Sequence, residues 1–234
     1  MTPAKADAAS ASMKVRLDRD TILAAALELA AQPGVSTLSF RELGAHLSVD
    51  PTAVYRHFRS KDELMMALLD QLAVRGLAEI DVPVEDWRGR LRAISMSTLH
   101  QFEQFPAIGV EAIVLTTNGP GEHGAIELML DAFTRAGLSG EELVRHYALL
   151  AAHVLSAGAN IARARADGAS GVWLDKPILV DPREFPLVAA NSTLLARLRD
   201  DELYRAGVEL IIDSAERAVS QARFATDAPA PPEV

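Results

Sequence analysis

Cysteine is absent from the 234 residues, so neither a disulfide nor a thiolate metal site can form. Aromatic side chains make up only 5% of the chain, which leaves any core to be filled by Leu, Ile, Val, Ala and Met. No run approaches the roughly 20 consecutive apolar residues of a membrane span. The opening MTPAKADAASAS lacks the apolar centre of an export signal. These absences predict a cytoplasmic protein with no membrane partner. Basic charge is short as well: 23 Lys and Arg against 32 Asp and Glu give a net charge of −9. The deficit is uneven. Residues 1–62 carry eight basic and seven acidic side chains, and residues 63–234 carry fifteen and twenty-five. A near-neutral head is therefore joined to an acidic body, a division that keeps nonspecific attraction to phosphate low. Enzyme signatures are missing too: the chain has no Gly-rich phosphate loop, no HExxH and no Gly-x-Ser-x-Gly.

What is present concentrates between Ser48 and Leu64, SVDPTAVYRHFRSKDEL. A turn at Ser48 and Val49 leads to Asp50-Pro51, a capping residue followed by the imino acid suited to the first helical position. Val54 and Phe58, four apart, form the buried side of a short helix, while Thr52 and Arg56 point the other way and Tyr55 and His57 flank that outer face. Ser60 with Glu63 then reads as a capping box opening the next helix. Upstream, Ser39 and Glu42 make a second capping box, and Phe40, Leu43 and Leu47 give an apolar stripe. Before these, Asp18–Gln32 reads as an amphipathic helix with Ile22, Ala26, Leu29 and Ala30 on one face, stopped by Pro33-Gly34. Three helices with a tight turn between the last two make a helix-turn-helix unit, whose second helix suits the major groove of DNA.

From about Leu17 to Leu69 the chain resembles the tetracycline-repressor (TetR) family of bacterial transcriptional regulators, most specifically in Tyr55, His57, Phe58 and Lys61. Two departures stand out. Ser48 occupies a turn position where the family usually has Gly, at a small left-handed backbone cost. Gly44 stands where Ala is commoner, at about 1 kcal/mol of helix propensity. The resemblance implies DNA contact by Arg41, Pro51, Thr52, Ala53, Tyr55, His57 and Lys61. Thr52 and Ala53 offer methyl groups to thymine, Arg41 or Arg56 suits guanine, and Tyr55, His57 and Lys61 suit phosphates. The bland alternative is that Tyr55 and His57 are half-buried and only hold the helix down. Arg59 reads as solvated charge, and Lys14 and Arg16 as part of a possible phosphate-touching arm.

The expected architecture is all-α. Residues 1–16 form an Ala/Ser-rich arm, 17–62 a three-helix DNA-binding domain, 63–224 a larger helical ligand-binding and dimerisation domain, and 225–234 a disordered tail. Helices are predicted at Lys61–Ile80, Glu85–Gln104, Ala107–Leu115, Gly121–Ala136, Glu141–Arg165, Phe185–Leu195 and Asp201–Arg223. Gly137 stops one of them and Ser139 with Glu142 supplies a third capping box. Ala166–Glu184 is the longest irregular stretch, with Trp173 as an anchor or a closure over a pocket.

The body resembles the ligand-binding half of the same family more weakly, in Asp86-Trp87, in Arg135–Ser139 and in Tyr204–Ile212. That resemblance implies a homodimer on an inverted-repeat operator and an unknown small, mainly hydrophobic effector. Ile94 falls where tetracycline repressors carry a drug-binding Asn, which argues against a magnesium–tetracycline effector, and neither a metal nor a cofactor is expected. Small residues at Ala148, Ala151, Ala152, Ser156, Ala157 and Gly158, with Val208, Ile211, Ile212 and Ala215 on the last helix, are candidates for the dimer face or for packing within one subunit. Candidate effector contacts are Met96, His100, Phe105, Asn118, Glu127 and His153, with Phe102 and Met129 as further apolar lining; each also reads as an ordinary interior or surface residue. An all-α enzyme, or a ligand-binding protein that leaves DNA alone, is the competing reading.

Overall fold

The computed structural model describes residues 17–169, 171–174 and 178–227. The expected arm 1–16, with Lys14 and Arg16, and the end of the chain from 228 lie outside the described residues. The described part is helical throughout: α1 (Arg19–Ala30), α2 (Phe40–His46), α3 (Pro51–Tyr55), α4 (Lys61–Ala78), α5 (Trp87–Gln104), α6 (Pro106–Gly109), α7 (Pro120–Ala136), α8 (Gly140–Ala166), α9 (Pro186–Leu195) and α10 (Asp200–Asp227). The expected helix Ala107–Leu115 is instead short α6 and a 3-10 turn, Val110–Ile113. The last helix runs to Asp227, past the expected start of the tail. Among the described residues β-structure amounts to one isolated antiparallel bridge, Val172 with Arg199.

In the head, each helix start is fixed by a side chain next to it. The Asp18 carboxylate accepts from the Thr21 amide at 2.9 Å, and that of Asp50 from the Thr52 amide at 2.8 Å. Ser39 and Glu42 form the full capping box. Ser60 accepts from the Glu63 amide at 3.1 Å, but Glu63 does not reach back to it. The Glu63 carboxylate instead accepts from Arg19 Nη1 at 2.8 Å and from the Arg59 amide at 2.8 Å. Between α2 and α3 the chain reverses at Ser48, whose φ is +55°. Gly44 serves this turn: a Cβ there would lie 3.0 Å from the Val49 carbonyl oxygen and 3.2 Å from the Pro51 Cα. The propensity lost at Gly44 thus has a packing reason that the sequence did not reveal. Val54 and Phe58 are fully buried beside Ile22, Leu43, Leu64 and Leu68.

The head core does not stop at α4. Phe102, Phe105, Ile108 and Ala162 continue it, while Leu91, Ile94, Phe133, Leu150, Tyr204 and Ile212 form a second cluster further along the body. Gly137, at φ +104°, ends α7 in the left-handed conformation, with the Leu138 amide bonded to the Phe133 carbonyl at 3.1 Å. The third capping box does not form. Ser139 stands at the cap of α8 without a side-chain bond, and Glu142 instead accepts from Arg145 at 2.6 Å. Helix α7 is capped from a distance: its Gly119 has no side chain to offer, and Asp70 of α4 accepts from the Glu122 amide at 3.0 Å.

Helices α8 and α10 pack closely, since a Cβ on Gly207 would lie 2.3 Å from the His153 ring. Arg165 joins the end of α8 to the start of α10 through a two-pronged pair with Asp200, at 2.8 and 2.9 Å. These hydrogen bonds from Arg165 hold the Asp200 carboxyl below its ordinary value. Val208, Ile212 and Ala215, candidates for the dimer face, are buried within the subunit, and Gly158 is buried against Phe102. Interior packing won at these positions because α10 turns its apolar side towards α5 and α8.

Candidate nucleic-acid interface and internal cavity

Helix α3 has only five residues, too short to stand alone, and packing holds it in place. Val54 pins its inner side. The ring of Tyr55 meets Phe40 edge-on at 4.4 Å between centroids yet stays 56% exposed. Arg19 of α1 clamps the following corner: Nη1 donates to the His57 carbonyl at 2.6 Å and its guanidinium lies 4.1 Å above the Phe58 ring. The sequence reading missed Arg19, because its partners lie 38 and 44 residues away.

The outward side of this corner carries Thr52, Tyr55, Arg56 and Lys61, all exposed, with Pro51, Ala53 and His57 half-buried among them. Arg41 is exposed on α2. Arg41 and Arg56 form no ion pair with any described residue, so their guanidinium donors face solvent. Lys61 is 3.9 Å from Glu111, a loose pair that leaves its ammonium donors largely available. Hydroxyl, phenol, imidazole, guanidinium and ammonium groups thus share one free edge, with methyl groups of Thr52 and Ala53 between them. Such an edge can donate to phosphates and to the major-groove side of bases.

The body holds a partly open cavity of about 140 Å³. Its walls come from α4 (Leu69, Leu72, Gly76), α5 (Ile94, Thr98, Gln101, Phe102), the segment after α6 (Ala112, Leu115, Thr117), α7 (Glu122, Ile126, Met129) and α8 (Tyr147, Val154, Leu155). Phe102 and Met129 stand where apolar lining was expected. The six polar and apolar candidates lie elsewhere. Met96 and His100 flank a separate charged cleft with Glu103, Arg165 and Arg205. Phe105 is buried beneath the Arg75 guanidinium, 5.0 Å from its ring centre. Asn118 is an exposed loop residue at φ +51°, and Glu127 is exposed on α7. The imidazole of His153 bonds through Nε2 to the Tyr204 backbone carbonyl at 2.9 Å.

The cavity has few polar groups. The Gln101 amide donates through Nε2 to Glu79 Oε1 at 2.9 Å, while its buried Oε1 has no partner. At another point of the wall the Glu122 carboxylate accepts from the Thr117 amide, the Thr117 hydroxyl and the Asn118 amide, at 2.7, 2.8 and 2.7 Å. Burial, and then the nearby Glu122 charge, push the Tyr147 phenol above its ordinary value, so it stays neutral. No lining residue is a lysine, arginine or histidine.

Residues 22–68 match the family model for bacterial regulatory proteins of the tetR family. The HTH-type transcriptional repressor Rv1353c of Mycobacterium tuberculosis is 29% identical over 215 residues, covering 88% of this chain and 82% of that protein. The match to the tetR family thus lies in the helix-turn-helix head. DNA binding and regulation of transcription are the functions that this similarity supports. The tetracycline repressor protein class D of Escherichia coli is 26% identical over 206 residues, covering 86% of this chain and 90% of that one. Among solved structures, ActR of Streptomyces coelicolor in complex with actinorhodin superimposes at a TM-score of 0.71 and 23% identity, over 87% of this chain and 98% of that one. The tetR-family fold of an N-terminal helix-turn-helix and a helical C-terminal part is therefore shared along almost the whole chain.

Proposed function

We propose that this protein is a homodimeric repressor: it holds an inverted-repeat operator with two copies of α3 and lets go when a small, mainly apolar effector enters the body. The free polar edge of α3, over a fully buried Val54 and Phe58, carries this reading. Arg41, Pro51, Thr52, Ala53, Tyr55, Arg56, His57 and Lys61 are its DNA contacts. In this reading residues 17–62 bind DNA and residues 63–224 bind effector and partner, without catalysis. One short helix reads too few bases for specificity, and two in symmetry, about 34–36 Å apart, read a palindrome.

Unused apolar surface supports the dimer. Val144, Leu149 and Leu155 on α8 and Leu210 on α10 are exposed, with small Ala148 and Ala152 between the α8 residues. Helix α9 buries no residue, and Leu187 and Leu194 face solvent on it. A single chain gains nothing from that arrangement, whereas a second copy covers it. The cavity supports an effector site, as does the complex of ActR with actinorhodin. An effector releases DNA only by binding the two arrangements with different affinity.

Selection from random duplexes tests the reading. It should return an inverted repeat with half-sites one helical turn apart. On that duplex, Tyr55→Ala combined with Lys61→Ala should lose about 100-fold or more in a mobility-shift titration, as two charge or hydrogen-bond contacts per half-site are removed. Sedimentation should still give the dimer. Unchanged affinity removes the α3 edge from DNA, and a monomer at working concentration removes the symmetric operator.

A further inference from the structure

We infer that the body cavity takes an apolar molecule carrying a protonated amine, which Glu122 and Tyr147 hold, and turns carboxylates and phosphates away. This deepens the effector reading given above and rests on it.

Most polar groups of the wall are already engaged. The Thr98 hydroxyl donates to the Ile94 carbonyl at 2.8 Å. The Thr117 hydroxyl lies between two carboxylates, 2.8 Å from Glu122 and 3.1 Å from Asp70. The Gln101 nitrogen donates to Glu79, and its oxygen is sealed from the cavity. Two groups remain. The three donors that reach Glu122 all bind its Oε2, which leaves Oε1 without a partner among the described residues. The Tyr147 hydroxyl forms no hydrogen bond with a described residue either. A carboxylate oxygen only accepts, and a phenol oxygen can accept as well as donate. Together they suit a guest rich in N–H donors, as an ammonium is.

Charge points the same way. Glu122 lies on the wall, with Asp70 behind it at Thr117 and Glu79 behind it at Gln101. None of the three forms an ion pair with a described residue. No lysine, arginine or histidine lines the cavity, and the Arg75 guanidinium of α4 is turned onto the Phe105 ring. Unpaired charges of one sign around apolar walls focus their field on the space between them. That field reaches Tyr147, whose phenol is raised first by burial and then by the Glu122 charge. An anion entering here is repelled and loses its hydration uncompensated, whereas an ammonium meets its counter-charge. The cavity is partly open, so the ammonium keeps part of its water while Leu72, Ile94, Phe102 and Met129 cover the apolar part.

Calorimetric titration of the intact protein tests the ligand class with naphthylmethylamine, naphthylmethanol and naphthylacetate, one apolar group carrying an ammonium, a hydroxyl or a carboxylate. The amine should bind about tenfold more tightly than the alcohol, the worth of one charge-assisted hydrogen bond, and the carboxylate should not bind. Glu122→Gln keeps an oxygen for the Thr117 and Asn118 amides but removes the charge. It should bring the amine down to the alcohol's affinity while leaving the alcohol within about twofold. Glu141→Gln, the same change at an exposed position off the wall, should leave the ranking as it is. Loss of the preference in both variants would mean general attraction to an acidic protein and overturns the role of Glu122. The ranking within the unaltered protein stands even if Glu122→Gln fails to fold. Equal affinity for amine and alcohol, or binding of naphthylacetate, overturns the ligand class while the cavity remains a binding site. Failure of all three to bind overturns the ligand class and the effector site together. Ranked binding without release of the selected duplex in a mobility-shift assay upholds the ligand class and overturns the effector mechanism.

Discussion

Arg19 in the head and Gln101 in the body are both polar side chains set against apolar neighbours, and they are used in opposite ways. Arg19 places its guanidinium over Phe58 and bonds to the His57 carbonyl and the Glu63 carboxylate, tying α1 to the corner that follows α3. Gln101 is held just as firmly by Glu79 but keeps a buried oxygen with no partner among the described residues. Where a surface must meet a rigid duplex, internal bonds fix its shape beforehand. In the body, part of a buried amide's bonding capacity is left unused.

Substitutions break or sharpen this contrast, and the largest effect is expected at Phe58. Phe58→Ala removes a fully buried ring from the head and should cost about 3–5 kcal/mol in thermal or urea unfolding, with loss of DNA binding. Arg19→Met should cost less, about 1–3 kcal/mol, because charged hydrogen bonds at a partly exposed site are lost while the packing over Phe58 is partly kept. Its affinity for the selected duplex should fall while sedimentation still gives the parent's oligomeric state; a change in both would dissolve the distinction between head and body.

At the far end of the body, Asp200→Asn tests a tie of the same kind as Arg19. The Asp200 carboxyl is held below its ordinary value by hydrogen bonds from Arg165, so its contribution is full above the unfolded-state value of about 3.9 and is lost as pH falls through the folded value. The variant should be less stable than the parent at neutral pH and converge with it in the acid limb below about pH 4, as read by urea titrations across pH. The smallest effect is expected at Ser48→Gly, which relieves a left-handed residue and should raise stability by about 1 kcal/mol without altering DNA affinity.

Much of the head was legible in the sequence because its signals are local. Asp18, Ser39, Asp50 and Ser60 each cap the helix that follows them, and Val54 and Phe58 mark a buried side within one turn. The body hid its determinants in distance. The cap of α7 comes from Asp70, 52 residues before the amide it serves, and the free oxygen of Gln101 depends on Glu79, 22 residues away. Spacing along α10 showed an apolar side at Val208, Ile212 and Ala215 but did not say whether a neighbour in the same chain or a second copy would cover it. For the same reason His153 looked available on its helix until the approach of α10 brought the Tyr204 carbonyl to it.

One rod joins the two regions. Leu64, Met65 and Leu68 of α4 lie in the head core, and Leu69, Leu72 and Gly76 of the same helix face the cavity. From Gly76 back to Lys61 the rise is about 22 Å, at roughly 1.5 Å per residue. A guest that rocks the cavity end by about 5° therefore displaces Lys61 by about 2 Å, without any hinge or intermediate contact. In the proposed dimer, two such displacements, related by its two-fold axis, would add as a mismatch of pitch that a stiff duplex cannot follow.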